Sequence, residues 1–208
     1  MSTRPARVAI ITYSMYGHIA DLAKHVQTGL EGAGKNNVNV ETFQIAETLP
    51  EDVLKKMGAQ ESKLPVFDPA NLVNYDAFLF GVPTRYGNMP AQWKSFWDRT
   101  GGLWMKQALH GKYAGVFVTT GTPGGGQEQT VSNMMSTLTH HGIIFVPLGY
   151  YSTAYPHLTS FAEPHGGSPW GAGAFAGADG SRQPNETEIN IAKAHGESFW
   201  NNISKVNF

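Results

Sequence analysis

Three stretches of this 208-residue sequence combine hydroxyls, glycines and aromatic rings in a way that suits a bound ligand. The first is "SMYGHI", Ser14 to Ile19, which lies between a short apolar run and an amphipathic pattern. It has no Walker-type lysine and no dinucleotide-type glycine triplet. A turn leading from a strand into a helix leaves backbone N–H groups free at the positive end of the helix dipole, a setting that suits an anion such as phosphate. Ser14 adds a hydroxyl; the plainer alternative is that Ser14 only caps the helix. The second stretch is "PTRYGNMPAQWKSFWD" (83–98), with Thr84, Arg85 and Tyr86 near its start. Fixed backbone donors and acceptors there can read the polar edge of a planar heterocycle, with Tyr86 as an aromatic wall. A turn controlled by Pro and Gly, with Arg85 in solvent, is the alternative. The third is "TTGTPGGGQEQT" (119–130). Thr119, Thr120 and Thr122 supply hydroxyls, and Gly121 and Gly124 to Gly126 permit close backbone approach; taken alone it can be a flexible glycine loop.

Elements of two kinds must position these loops. Apolar runs of strand length recur at 6–13, 37–43, 76–82, 115–119 and 142–148, several of them apolar at consecutive positions, as in strands covered on both faces. Helical spacing fills the gaps: Ile19, Leu22, Ala23, Val26 and Leu30, ended by Gly32 and Gly34; then Val131, Met134, Met135 and Leu138; then Ile189, Ala192, Gly196, Phe199 and Ile203, with Asn185 as N-cap and Glu188 three residues on. Such alternation predicts an α/β fold, a doubly wound parallel sheet of five strands in the order 2-1-3-4-5 with helices on both faces. Sheets of this kind take ligands beyond the carboxyl ends of their strands, where all three loops fall. Residues 83–111 and 149–185 are long, rich in Gly, Pro and aromatics and poor in periodic pattern, which marks functional or interface loops.

Composition excludes several classes. A net charge of −1 argues against a surface built for nucleic acid or anionic lipid. The absence of cysteine excludes thiol catalysis, disulfides and cysteine-ligated metals. The histidines, His157 and His165 included, lack metal-ligand spacing, so no metal is expected. No apolar run approaches the roughly 20 residues of a membrane span. The chain reads as a soluble, cytoplasmic protein.

Taken together, "SMYGHI", "FGVPTRYGNM", "TGGLW", "TTGTPGGGQEQT", "THHG" and "GADGSRQP" resemble the WrbA-type NAD(P)H:quinone oxidoreductases, FMN enzymes of the flavodoxin-like superfamily, the group that includes fungal benzoquinone reductases. The resemblance runs from about residue 6 to 203. It implies a single flavodoxin-like FMN-binding domain over 1–208, NADH or NADPH as electron donor, quinone substrates and a homotetramer. On this resemblance Ser14, Met15, Tyr16, Gly17, His18 and Ile19 wrap the FMN phosphate. Thr84, Arg85, Tyr86, Thr119, Thr120, Gly121, Thr122, Pro123 and Gly124 contact the isoalloxazine. Trp104 and His140 wall the pocket above it, and Tyr16 and Trp104 meet the substrates. Pro123 makes the glycine loop one residue longer than the "GTGGGQ" form of bacterial members. Residue by residue, Trp104 can instead be a core aromatic, His140 and His141 can cap a helix C-terminus, and the His18 side chain reads as structural. The rival functions are a one-electron flavodoxin carrier, disfavoured by the near-neutral charge, and a flavin-loaded scaffold protein.

Overall fold

A computed structural model describes residues 4–208 of the chain; residues 1–3 of the expected domain lie outside it. In chain order the elements are β1 (Ala6–Thr12), α1 (His18–Gly34), β2 (Val38–Gln44), α2 (Glu51–Met57), β3 (Ala77–Pro83), α3 (Ala91–Asp98), α4 (Gly101–Met105), β4 (Tyr113–Thr120), α5 (Gln127–His140), β5 (Ile144–Phe145), α6 (Tyr155–Leu158), β6 (Gly173–Phe175) and α7 (Glu186–Ile203). The strands pair in parallel in the order β2-β1-β3-β4-β5, as the alternation predicts.

Both faces of the sheet are buried, which explains the unbroken apolar runs. On one face Val8, Ile10, Leu79 and Phe117 pack with Ile19, Leu22, Val26 and Leu30 of α1 and Ile191, Phe199 and Ile203 of α7. On the other, Ala9, Ile11, Phe78, Phe80, Val116 and Val118 pack with Trp93, Phe96 and Trp97 of α3 and Val131, Met134 and Leu138 of α5. Each fully buried side chain of this size contributes roughly 1.5–3 kcal/mol, so neither layer can be dispensed with. Trp93 also ties α3 to the sheet, its indole N–H donating to the Gly81 carbonyl at 3.2 Å. Helices α1 and α7 touch through glycines: a Cβ on Gly29 would lie 1.8 Å from the Lys193 carbonyl oxygen, and one on Gly196 2.0 Å from that of Val26.

Three features differ from the expectation. The run at 142–148 yields a strand of only two residues, since β5 pairs with β4 at Tyr113 and Ala114 alone. The same edge of β4 is then taken over by β6, paired at Val118 to Thr120, so the sheet has six strands rather than five. The long segments are also more ordered than their composition suggests: 83–111 holds α3 and α4, and 149–185 holds α6 and β6. Among the described residues no helix is long and apolar enough to cross a membrane.

His195 of α7 is fully enclosed beneath β4. Its Nδ1 accepts the Ala172 N–H at 3.2 Å, while Nε2 meets no partner, so the ring is held neutral and burial pushes its pKa down to about 4. The unfolded chain binds that proton at about pH 6.5, so the stabilising contribution is complete above that value and is lost as pH falls towards about 4. Urea denaturation should show a loss of about 2 kcal/mol between about pH 7.5 and about pH 5. His195→Leu should flatten that slope; an unchanged slope would show that His195 does not set it.

Candidate functional site

The parallel register brings the carboxyl ends of the strands level, with Thr12 opposite Gly81, Pro83 opposite Thr119 and Thr120 opposite Phe175. Beyond them opens a cleft of about 450 Å³. Ser14, Met15, Tyr16, His18 and Ile19 line it from β1, Thr84 and Arg85 from β3, and Thr119, Thr120 and Gly121 from β4. The three loops singled out in the sequence therefore share one site.

The β1 loop is built to present amides. Gly17 caps α1 with φ 90, a left-handed conformation that strains any other residue, and a Cβ there would lie 2.6 Å from Gln60 Oε1, so the end of that side chain would have to move aside. Ser14, three residues before that cap, accepts the Ala20 N–H of the first turn at 3.2 Å, and its own proton remains available to an anion. The preceding N–H groups of the first turn, on His18 and Ile19, have no intrahelical acceptor and lie at the positive end of a 17-residue helix. Met15 is buried, and its carbonyl accepts the Gln60 N–H at 2.8 Å, which seats the 59–64 segment beside the turn. Tyr16, 40% exposed, stands at the rim.

The β3 loop turns sharply. Arg85 and Asn88 exchange backbone hydrogen bonds at 2.7 and 3.0 Å, and the two residues between them, Tyr86 and Gly87, both have positive φ, as a type I′ turn requires. Thr84 anchors the turn: its N–H donates to the Thr119 carbonyl at 2.9 Å and its hydroxyl bonds to Thr130 at 2.7 Å. Arg85 remains at the cleft, while Tyr86 projects fully into solvent.

The β4 loop folds back on Gln127, whose amide donates to Thr120 Oγ1 (3.3 Å) and the Ala174 carbonyl (3.1 Å) and accepts the Gly167 N–H (2.8 Å). Thr120 in turn donates to the Thr122 carbonyl at 3.1 Å. The lining therefore stops at Gly121. Thr122 and Pro123 form the turn beyond it, and Gly124 faces a different hollow, at the start of α5.

A fourth wall was not foreseen. Ala176 and, within "GADGSRQP", Gly177 to Gly180 and Gln183 also line the cleft, as does Gln60. The motif was visible in the sequence, but only its likeness to a family marked it; Gln60 had no signal at all. Asp179 at this rim is held below the usual carboxylate range by the N–H and hydroxyl of Ser181.

Trp104 and His140 do come together, but elsewhere. With Met105, Gln107, His110, Thr139, His141 and Gly142 they line a separate open hollow of about 570 Å³ between α4 and the end of α5. Trp104 is 53% exposed, too open for a core aromatic. His140 Nδ1 donates to the Ser136 carbonyl at 2.7 Å, which leaves Nε2 for other partners. Behind it His141 Nε2 donates to Thr100 Oγ1 at 2.8 Å and so joins α5 to the start of α4. Among the described residues no cluster of His, Asp and Glu is arranged to hold a metal ion.

The family described as NADPH-dependent FMN reductase matches residues 7–157. An NAD(P)H quinone oxidoreductase of Candida albicans is 57% identical over 200 residues, 96% of each chain. Protoplast secreted protein 2 of Saccharomyces cerevisiae is 54% identical over 200 residues, covering 96% of this chain and 98% of its own. Among solved structures, a WrbA-like flavodoxin of Agrobacterium tumefaciens superposes with a TM-score of 0.64 at 20% identity over 96% of this chain and 98% of its own, a likeness of fold.

An acidic side chain on Gly17 should cost about 1–3 kcal/mol in backbone strain at the positive φ and would set a negative charge against an anion held at the helix start. Gly17→Asp should weaken FMN binding at least roughly tenfold in a fluorescence titration, and unchanged affinity would place the anion elsewhere.

Proposed function

The chain belongs to the NADPH-dependent FMN reductase family, and from that premise we propose that it is an FMN-dependent NAD(P)H:quinone oxidoreductase. The observation that carries the reading is the cleft itself, in which an amide-rich helix start, threonine hydroxyls and a turn carrying Arg85 surround one volume at the strand ends. Relatives that bear this enzyme name match across nearly their whole length.

The residues fit the group. An open volume of about 450 Å³ lies within the range of cofactor pockets. The tightly turned Gly17 leaves the anion end free of side-chain bulk, and the missing lysine is made good by N–H groups and the Ser14 hydroxyl. Thr84, Arg85, Thr119, Thr120 and Gly121 are the residues placed to hold the ring. The chemistry FMN supplies when bound is two-electron transfer, by which NAD(P)H, a proton and a quinone become NAD(P)⁺ and a hydroquinone. Reductant and quinone take turns in one place in this proposal, a ping-pong order, and the protein's part is to orient each ring and to donate hydrogen bonds to the oxygen that gains charge.

That substrate place is the hollow of Trp104 and His140, and it is not joined to the cleft within a single chain. We therefore extend the proposal to a homotetramer in which a neighbouring subunit brings these two residues over the cofactor. The exposed Tyr86, Trp104, Tyr150, Tyr155 and Phe161 support an assembly that covers them. A cytoplasmic setting, where reduced nicotinamide nucleotides are available, belongs to the same reading, as does a single FMN-binding domain.

Light scattering should give about four times the 22.6 kDa of the chain, and a mass equal to the single chain with FMN bound would reject the shared site. In stopped-flow half-reactions Trp104→Ala should raise the quinone KM about fivefold, the loss of one aromatic stack of roughly 1 kcal/mol. His140→Ala should lower the rate of reoxidation on the order of a hundredfold, as for loss of one positioned donor. Reoxidation at the wild-type rate and affinity in both variants would make these residues packing only.

A further inference from the structure

Glu188 lies at the third position of α7, where its carboxylate closes a capping box with Asn185: the Asn185 N–H donates to Oε2 at 2.9 Å and the Glu188 N–H to the Asn185 side chain at 2.9 Å. A capping carboxylate needs no more than that and ordinarily sits at the surface. Glu188 is instead fully buried and gathers donors from other segments. Its Oε1 accepts the Gly166 N–H at 2.9 Å and the Phe175 N–H at 3.0 Å, and Arg182 Nη1 reaches both oxygens at 3.1 and 2.8 Å. Arg182 spreads the connection further, donating to the Phe175 carbonyl at 2.6 Å and, through Nη2, to the Pro164 carbonyl at 3.1 Å.

The backbone of Arg182 continues the chain into the cleft. Its N–H donates to the Ala176 carbonyl at 2.9 Å, which closes 176–182 into a compact loop, and its carbonyl accepts His18 Nε2–H at 2.9 Å. His18 is the first residue of α1, and both it and Ala176 to Gly180 line the cleft. A continuous set of hydrogen bonds thus runs from a buried carboxylate on α7, through the "GADGSRQP" loop, to the helix start that faces the anion.

We propose that Glu188 and Arg182 are positioning residues of the cofactor cleft: they fix the distance between the 176–183 loop and the start of α1, and so set how tightly FMN is held. The inference rests on the reading of the cleft as the FMN site. An ion pair whose carboxylate is buried and whose arginine is partly exposed is a poor source of net stability, whereas loss of the arginine leaves the carboxylate buried and unpaired, so the pair acts here through arrangement. His18 transmits that arrangement, which gives its side chain a task beyond filling space.

The test is FMN titration of the apoprotein, followed by flavin fluorescence, together with the FMN dissociation rate. Glu188→Gln keeps the shape but turns an amide towards the donors. Arg182→Lys keeps the charge but loses the fork that reaches Phe175 and Pro164, and it serves if Glu188→Gln does not fold. Both should raise the FMN Kd by about tenfold or more, a loss common when the supports of a ligand shell are removed, through faster dissociation. Asn185→Ala removes the helix cap and a 3.3 Å contact from Nδ2 to the Pro164 carbonyl but leaves the Glu188–Arg182 pair in place, and should lower the melting temperature with little change in FMN Kd. Wild-type binding retained within about twofold in both Glu188→Gln and Arg182→Lys would overturn the proposal, and so would an Asn185→Ala variant that loses as much affinity as Glu188→Gln. A wild-type apoprotein that takes up no FMN would instead refute the reading of the cleft.

Discussion

The register of β3 against β4 is the constraint on which the site depends. Pro83 pairs with Thr119, so the chain leaves both strands at one level, and the Thr84 N–H is then delivered to the Thr119 carbonyl. A slip of one residue would turn every side chain of β3 over, exchanging Phe78 and Phe80 for Leu79 against the wrong helices. The aromatic layer made by Phe80, Trp93 and Trp97, with ring centroids 5.3–6.3 Å apart, therefore does more than fill space. It holds the register that aligns the loops. The chemistry at the strand ends is specified by packing some way below it.

The main sheet was legible because its signal is redundant. Consecutive apolar residues covered on both faces, alternating with stripes at helical spacing, leave few topologies once crossovers must be right-handed. The elements that escaped are those whose signal is local and weak. Strand β6 has three residues, Gly-Ala-Phe, inside a stretch of glycines, and it is a strand because β5 leaves the edge of β4 after Ala114 and the upper half needs a partner. Helix α3 could have been read: Trp93, Phe96 and Trp97 have helical spacing, but Pro90 and the glycines around it made the region look like loop. Helix α4 has five residues and no buried ones, so nothing in its pattern announces it.

The candidate site divides along the same line. Loops that begin at a strand end, from Ser14, Thr84 and Thr119, carry their position in the sequence, because the strand fixes where they start. The far wall does not. Ala176 to Gly180 line the cleft on a loop closed by Arg182, which pairs with Glu188, and that carboxylate is recognisable in the sequence only as half of a capping box. Thr122, Pro123 and Gly124 show the converse: their motif is conspicuous, yet the turn that Gln127 organises carries them past the cleft.

In the proposed function the two hollows face different physical demands, and the fold offers them different materials. A resident cofactor needs a cradle that does not relax when it is empty. The cleft accordingly rests on strand ends, on the first turn of a long helix and on a buried carboxylate whose donors come from separate segments. Substrates that exchange on each turnover need access and adaptable contacts. Trp104 and His140 sit on a five-residue helix and on the last residue of α5, both open to solvent. Their geometry is less fixed by the core, and His141, bonded to Thr100, is the link that holds one against the other. In the proposed tetramer, completion of that side by a second subunit supplies the missing rigidity without placing exchanging ligands inside the core, so that assembly does for the proposed substrates what β3 and β4 do for the proposed cofactor.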